Sequence, residues 1–246
     1  MDNWNLYAEY TWYQNNSNKS VKPGAHEVLA VADFFKPGIY GSRVLTADSL
    51  SGAFSFHYNG ADLSFQRPFY FSKKITANFG LGLKGLWISE SVSLSGTGLA
   101  YGDPLTILEL IPEPGTLHVK NHRKSWGVGP RFEFASNWLL GCGFNLIGDL
   151  TTSVLYTRYT KHDSSAMTSL SNISSFSQSN YGTLRAITES SLGLGWGRYL
   201  GSNNGLHLDL ITSYDFNILW NQNLLVTGAS SNVYLHGLNV AARLDF

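Results

Sequence analysis

Apolar and polar residues alternate along this chain over long runs. A period of two marks a strand with two unlike faces. The C-terminal run is the clearest. Tyr234, Leu238, Val240, Ala242, Leu244 and Phe246 share one parity, interrupted by His236, and Gly237, Asn239, Ala241, Arg243 and Asp245 take the other. Before it, Leu206, Leu208, Leu210, Tyr214, Phe216, Ile218 and Trp220 face away from His207, Asp209, Ser213, Asp215 and Asn217. Leu192, Leu194 and Trp196 oppose Arg185, Glu189 and Ser191. Leu140, Cys142, Phe144, Leu146, Leu150, Val154 and Tyr156 oppose Asn145, Asp149, Thr151 and Ser153. Trp126, Val128, Phe132 and Phe134 oppose Arg123, Ser125, Arg131 and Glu133. Ile75, Ala77, Phe79, Leu81, Leu83 and Trp87 oppose Thr76, Asn78, Lys84 and Glu90, and Trp4, Leu6, Ala8, Tyr10 and Trp12 oppose Asn5 and Glu9.

One run changes parity. Leu63, Phe65, Phe69 and Phe71 oppose Asp62, Ser64 and Gln66, but Phe54, Phe56 and Tyr58 lie on the other parity. A β-bulge near Asn59-Gly60 restores the register, or the strand leaves an apolar medium at that level. The pattern therefore predicts eight strands, up and down. Tight turns are expected at Ser72-Lys73-Lys74, at Ser136-Asn137 and from Gly201 to Asn204. Long connections are expected over 14–50, 96–117, 161–181 and 222–231. The first is read as holding a short helix from His26 to Phe35 and surface segments Asn15-Asn16-Ser17 and Asn18-Lys19-Ser20. The second carries Pro104, Pro112 and Pro114, which argue against regular pairing. The third is serine-rich and expected to be mobile.

Composition narrows the choice of solvent. The 246 residues balance 17 Lys and Arg against 17 Asp and Glu, with 14% charged, 14% aromatic and 43% hydrophobic. Such a chain is not disordered, and zero net charge gives no footprint for nucleic acid. No 18 consecutive apolar residues occur, so no transmembrane helix is expected. Three features favour a membrane barrel over a soluble one. The polar faces carry charges of both signs, whereas a soluble barrel turns its apolar face inward. The runs reach about 15–20 residues, where about 9–11 tilted residues cross a bilayer. Short turns alternate with long loops, as in bacterial outer-membrane barrels with short periplasmic turns and long extracellular loops. Trp4, Trp12, Trp138, Tyr156, Tyr159, Tyr199, Tyr214 and Trp220 near strand ends fit interfacial girdles, and Leu244 and Phe246 form a C-terminal barrel signature. The expected architecture is one outer-membrane β-barrel domain over residues 1–246, both termini periplasmic.

His57-Tyr58-Asn59 with Asp62-Leu63, then Arg67-Pro68-Phe69-Tyr70, resembles the Legionella and chlamydial major-outer-membrane-protein-like family. Leu83 to Ile88, Trp126 to Arg131, Trp138 to Asp149, Phe216 to Asn223 and Ala242 to Phe246 extend the resemblance over nearly the whole chain. It implies an abundant porin-like barrel in the bacterial outer membrane and carries no catalytic residues. It also implies a leader and a further strand pair ahead of Trp4 to Tyr7, where Met1 stands here. The opening Met1-Asp2-Asn3-Trp4 has no basic region and no apolar core. The leader is therefore expected to be removed or cut from the sequence, and the barrel to have eight strands as it stands.

The inward charges are the candidate functional constellation: Glu9, Asp62, Lys84, Glu90, Arg123, Arg131, Glu133, Asp149, Arg185, Glu189, Asp209, Asp215 and Arg243. They read as a selectivity field in a water-filled channel or as a salt-bridged plug. An eight-stranded barrel is just wide enough for side chains to fill, which favours the plug; extra strands favour the channel. Gly80, Gly82 and Gly85 spell a G-x-G-x-x-G motif, but the alternation runs on to Trp87, so no helix opens to bind a dinucleotide. His207 and Asp209 share a face, without a nucleophile elbow to make a hydrolase. His118 and His122 lie about 13 Å apart along a strand, too far to share a metal. Cys142 is read as an apolar filler on the lipid face, with an intermolecular disulfide as the alternative. Lys73 and Lys74 are read as solvated turn charges. No cofactor, metal or catalytic residue is expected. The expected partners are outer-membrane lipid and the barrel-assembly machinery, with host or envelope surface partners as a further option. The expected function is passive diffusion of ions or small solutes. The alternative is a non-conducting structural or adhesin-like barrel presenting its loops, among them the apolar segment Leu105, Ile107, Leu108, Leu110 and Ile111.

Overall fold

The structure, a computed structural model, describes residues 4–22, 29–30, 44–103, 106–168, 172–200, 206–224 and 230–245. Among the described residues, every regular element is a strand. They are β1 (Asn5–Val21), β2 (Leu29–Ala30), β3 (Val44–Ala47), β4 (Ser49–Ser72), β5 (Ile75–Asp103), β6 (Thr106–Gly141), β7 (Phe144–Thr168), β8 (Asn172–Gln178), β9 (Tyr181–Leu200), β10 (Leu206–Leu224) and β11 (Ser230–Asp245). Eight of them form one antiparallel path, β1-β4-β5-β6-β7-β9-β10-β11, while β2, β3 and β8 pair alongside it. The sheet curls through 288°. Among the described residues no ladder joins its outer strands, β1 and β11.

The eight-strand pattern read from the alternation is thus present, and each strand keeps its apolar parity outward. Leu6, Leu63, Leu81, Phe132, Leu150, Leu192, Leu210 and Leu238 are all exposed large hydrophobics. Their neighbours on the other parity turn inward. The outward surface has a sharp upper limit. The register aligns Trp12 with Asn59, Asn59 with Trp87 and Trp87 with Trp126, which makes a row of indoles on β1, β5 and β6. Trp4, Trp138 and Tyr199 are exposed toward the opposite end. From Trp4 to Trp12 is nine residues, the length of a tilted strand that crosses a bilayer. Of the eight aromatics assigned to girdles, seven are exposed; Tyr159 is buried inside, stacked on Tyr181.

Several expectations are corrected. The pairing of β4 with β5 is unbroken from Ser49 to Tyr70, so no bulge lies at Asn59-Gly60. Phe56 and Tyr58 instead share the inward parity of Asp62 and are buried. The interior, not the register, changes from polar to apolar at that height. The turn expected at Ser136-Asn137 lies at Cys142-Gly143; Ser136 and Asn137 pair with Gly148 and Ile147. Positive φ angles run through Gly141, Cys142 and Gly143, and two glycines let the chain reverse there. Cys142 is therefore an exposed turn residue, not a filler on the lipid face. The turn at Lys73-Lys74 stands where the sequence places it. Gly201 to Asn204, the C-terminal Phe246 and Leu105 lie outside the described residues.

The long connections are shorter than expected because strands continue past the indole row. β1 runs through Asn15 to Ser20 and pairs Val21 with Leu50. β5 and β6 pair out to Asp103 and Thr106, and the register passes through Ala100–Pro112 with shifts on either side. Pro112 and Pro114 are tolerated because β7 pairs β6 only from Leu117 onward, so they sit where β6 is an edge. The serine-rich segment is a hairpin, with β8 paired to β7 from His162–Gln178 to Met167–Asn172. The helix expected from His26 to Phe35 is contradicted at Leu29–Ala30, which form β2; its other residues lie outside the described ones. Above the indoles the outward face turns polar while Leu94, Leu117 and Val119 keep the inward face apolar, so pairing persists beyond the lipid-facing pattern.

The outward parity makes a direct prediction. Leu81, 59% exposed within the apolar belt, should tolerate arginine poorly: Leu81→Arg should cost about 2–4 kcal/mol of stability in bilayers. Ser91→Arg, on the same face above Trp87, should change stability by less than about 0.5 kcal/mol. Urea titration of folding into lipid vesicles measures both.

Candidate functional site

The inward parity of β4, β5, β6 and β9 brings charges together at one height. Lys84 on β5 stands directly opposite Asp62 on β4. Its Nζ donates to Asp62 Oδ2 at 2.9 Å and to Glu189 Oε1 of β9 at 2.8 Å. Arg131 of β6 completes the ring. Its Nη1 reaches Glu189 Oε2 at 2.5 Å and Asp62 Oδ2 at 3.3 Å, and its Nε donates to Glu133 Oε1 at 2.6 Å. Ser64 and Gln66 donate to the other Glu133 oxygen at 2.7 and 2.9 Å. Three carboxylates and two cations from four strands thus form one network, and Lys84 is only 1% exposed. Glycine makes the room: a Cβ on Gly80 would stand 2.7 Å from Glu133 Oε2, and one on Gly82 would stand 2.1 Å from the Leu63 carbonyl oxygen. The glycine motif therefore serves packing inside a strand. Gly85, its third member, points outward beneath the Trp87 ring.

A second pair lies nearer the hairpins, where Arg123 Nη2 donates to Glu90 Oε2, both buried. Between the two charged levels the interior is apolar. Phe56, Tyr58, Leu86, Ile88, Leu155, Ile187 and Leu219 form a buried cluster, with Phe54, Val233 and Leu235 packed against it. Sequence reasoning missed this layer. Its signal is a run of apolar residues on both parities: Leu86-Trp87-Ile88, Val154-Leu155-Tyr156 and Ile218-Leu219-Trp220.

The remaining charges are distributed rather than gathered. Asp149 and Asp215 face a cavity of about 670 Å³ that reaches from Asp62 and Arg131 to Glu9 on β1 and Asn239 on β11. Ser191 and Ser213 donate to Asp215 at 2.6 and 3.0 Å. Glu9, on an outer strand of the sheet, accepts from the Tyr7 hydroxyl at 2.8 Å. Arg185 lies over the Tyr159 ring at 5.9 Å. At the turn end, Asp209 Oδ2 is 3.3 Å from His207 Nδ1 and is registered opposite Arg243. The His207 ring lies against Tyr199, at 4.4 Å between centroids, so the imidazole bridges an aromatic ring and a carboxylate at the mouth. Of the thirteen inward charges read from the sequence, five form the network and two the upper pair. Glu9, Asp149 and Asp215 line the cavity, and Arg185, Asp209 and Arg243 belong to none of these three groups.

Among the described residues no three His, Cys, Asp or Glu side chains gather to hold a metal ion. The arrangement can order charge across a sheet and line a polar cavity.

The network predicts a specific energetic pattern. Lys84→Met leaves Asp62 and Glu189 short of a cation and should cost about 3–5 kcal/mol, because an uncompensated buried charge is the expensive outcome. Adding Asp62→Leu should recover part of that loss, shown by a double-mutant cycle on urea unfolding.

A family model described as the Legionella pneumophila major outer membrane protein precursor matches residues 1–246. No curated protein and no solved structure matches.

Proposed function

Because the chain belongs to the Legionella major outer membrane protein family, a porin-like group of the bacterial outer membrane, we propose that it conducts ions or small solutes passively through its interior. The observation that carries the reading is the cavity of about 670 Å³, bordered by Glu9, Thr11, Asp149, Thr151, Asp215 and Asn239. It lies beside the ion-pair network and the apolar cluster, which fill the other part of the interior. In this reading those two layers are the wall and the cavity is the path. The inward charges set the field along it. All of residues 1–246 make one barrel domain.

The barrel closes by pairing β1 with β11. Each of these strands has a row of N–H and C=O groups that water cannot satisfy in hydrocarbon, and an even strand count makes the two antiparallel. The turns at Lys73-Lys74 and Cys142-Gly143 face the periplasm and the extended hairpins face outward. The C-terminal strand with Leu244 is the segment that the barrel-assembly machinery reads. The second reading, a non-conducting barrel that presents its hairpins, is favoured by the packed Phe56–Leu219 layer.

Planar-bilayer recording of refolded protein separates the two. Conductance steps are expected, enlarged by Ile187→Ala with Leu219→Ala; silence would sink the pore reading and leave the barrel standing. Closure is tested in a Cys142→Ser background. Tyr10→Cys combined with Leu238→Cys or Val240→Cys should crosslink within one chain in native membranes. Crosslinks only between chains would rule out a barrel closed on itself.

A further inference from the structure

The outward face changes character within two residues of the indole row. On β6 the residues above Trp126 on its parity are Lys124, His122, Lys120 and His118. They are spaced about 6.6–6.8 Å apart along the strand. Lys124 is registered opposite Ser89 of β5 and Lys161 of β7, and Ser89 opposite His57 of β4. Serines 91, 93 and 95 continue the neighbouring row. Three lysines and three histidines thus occupy the surface directly above the apolar belt. Among the described residues the acid beside them is Asp163, which is 3.1 Å from Lys161 and accepts from Ser177. Among the described residues neither Lys120 nor Lys124 has a carboxylate within 4.0 Å. Burial first, then Lys161 and Lys124, hold the His122 imidazole below its ordinary pKa.

We propose that this face, centred on Lys120, Lys124 and Lys161, binds the phosphate groups of a phosphorylated glycolipid in the outer leaflet. The belt fixes the depth of Lys124 and its register partner Lys161, one step above the indole row where lipid headgroups begin, and Lys120 stands two steps further along β6. The charge fixes the sign. The serine rows supply hydroxyl donors beside it, matched to sugar and phosphate oxygens. The lysine pair Lys120 and Lys124 is about 13 Å apart, so two phosphates on one headgroup can be met at once. Acyl chains then lie along the exposed Val128, Phe132 and Leu83 surface below.

The inference rests on the orientation given above, with the hairpins outside. Labelling of Ser20→Cys on intact cells with an impermeant maleimide tests that orientation by itself. The binding test uses native mass spectrometry of refolded Cys142→Ser protein in neutral detergent. The probes are a diphosphorylated diglucosamine glycolipid, its dephosphorylated form and phosphatidylglycerol. Wild type should retain the diphosphorylated lipid best. Lys120→Ser with Lys124→Ser should weaken it roughly 10- to 30-fold, and Lys73→Ser with Lys74→Ser should not. Equal retention of the dephosphorylated lipid or of phosphatidylglycerol by wild type overturns the proposal without recourse to any variant. So does displacement by millimolar inorganic phosphate, which would mark a site for free phosphate alone. Equal loss in the turn variant would overturn it as well, by showing that charge acts at no particular place.

Discussion

A peptide group in hydrocarbon has no water to bond, and the rest of this molecule follows from that constraint. Every N–H and C=O at membrane depth must find another strand, so the chain becomes one continuous antiparallel sheet. Once the backbone is committed to strands, side chains have two directions only. One parity meets lipid and the other meets the interior. The scarcity of charge, 14% of residues, is the compositional trace of giving half of each strand to an apolar solvent. The charges that remain on the strands inside the belt are mostly turned inward, where Asp62, Lys84, Arg131, Glu133 and Glu189 answer one another.

The parity of each strand is legible in the sequence because lipid on one side and polar groups on the other make alternation strict. In a run such as Phe79 to Lys84 the two faces separate without ambiguity. The inward charges can be named for the same reason. Their partners cannot, because Lys84 and Glu189 are 105 residues apart and only the strand order brings them together. Two signals mislead. Cys142 falls on the apolar parity of Leu140 and Phe144, which hides the flanking glycines that make the turn. Above the indole row the outward face turns polar while Leu94, Leu117 and Val119 stay buried inside, so the lipid-facing signal disappears while backbone pairing goes on. Alternation alone therefore ends β5 and β6 too early and gives β8 as a loop.

The interior is layered in a way that composition alone would not suggest. A charged level lies below an apolar one, and a second ion pair, Glu90 with Arg123, lies above it. The apolar layer spans three adjoining register rows, Phe56 with Glu90, Tyr58 with Ile88 and Gly60 with Leu86, so it depends on the same ladder as the outer belt. The parity change at Phe56 and Tyr58 is the sequence mark of that layering, not of a slipped strand. The network and the apolar layer fill their side of the sheet, and the polar cavity beside them is the space left over. Conduction through this chain therefore depends on how much of the interior the packing leaves unfilled.

The hairpin of β5 and β6 continues sixteen residues beyond Trp87, from Ile88 to Asp103. At strand rise that is roughly 50 Å of paired backbone, shortened by tilt. Such a fin sets a standoff: whatever approaches the bilayer from that side meets the tip first. The ladder that builds the wall is thus also what holds the fin upright above it.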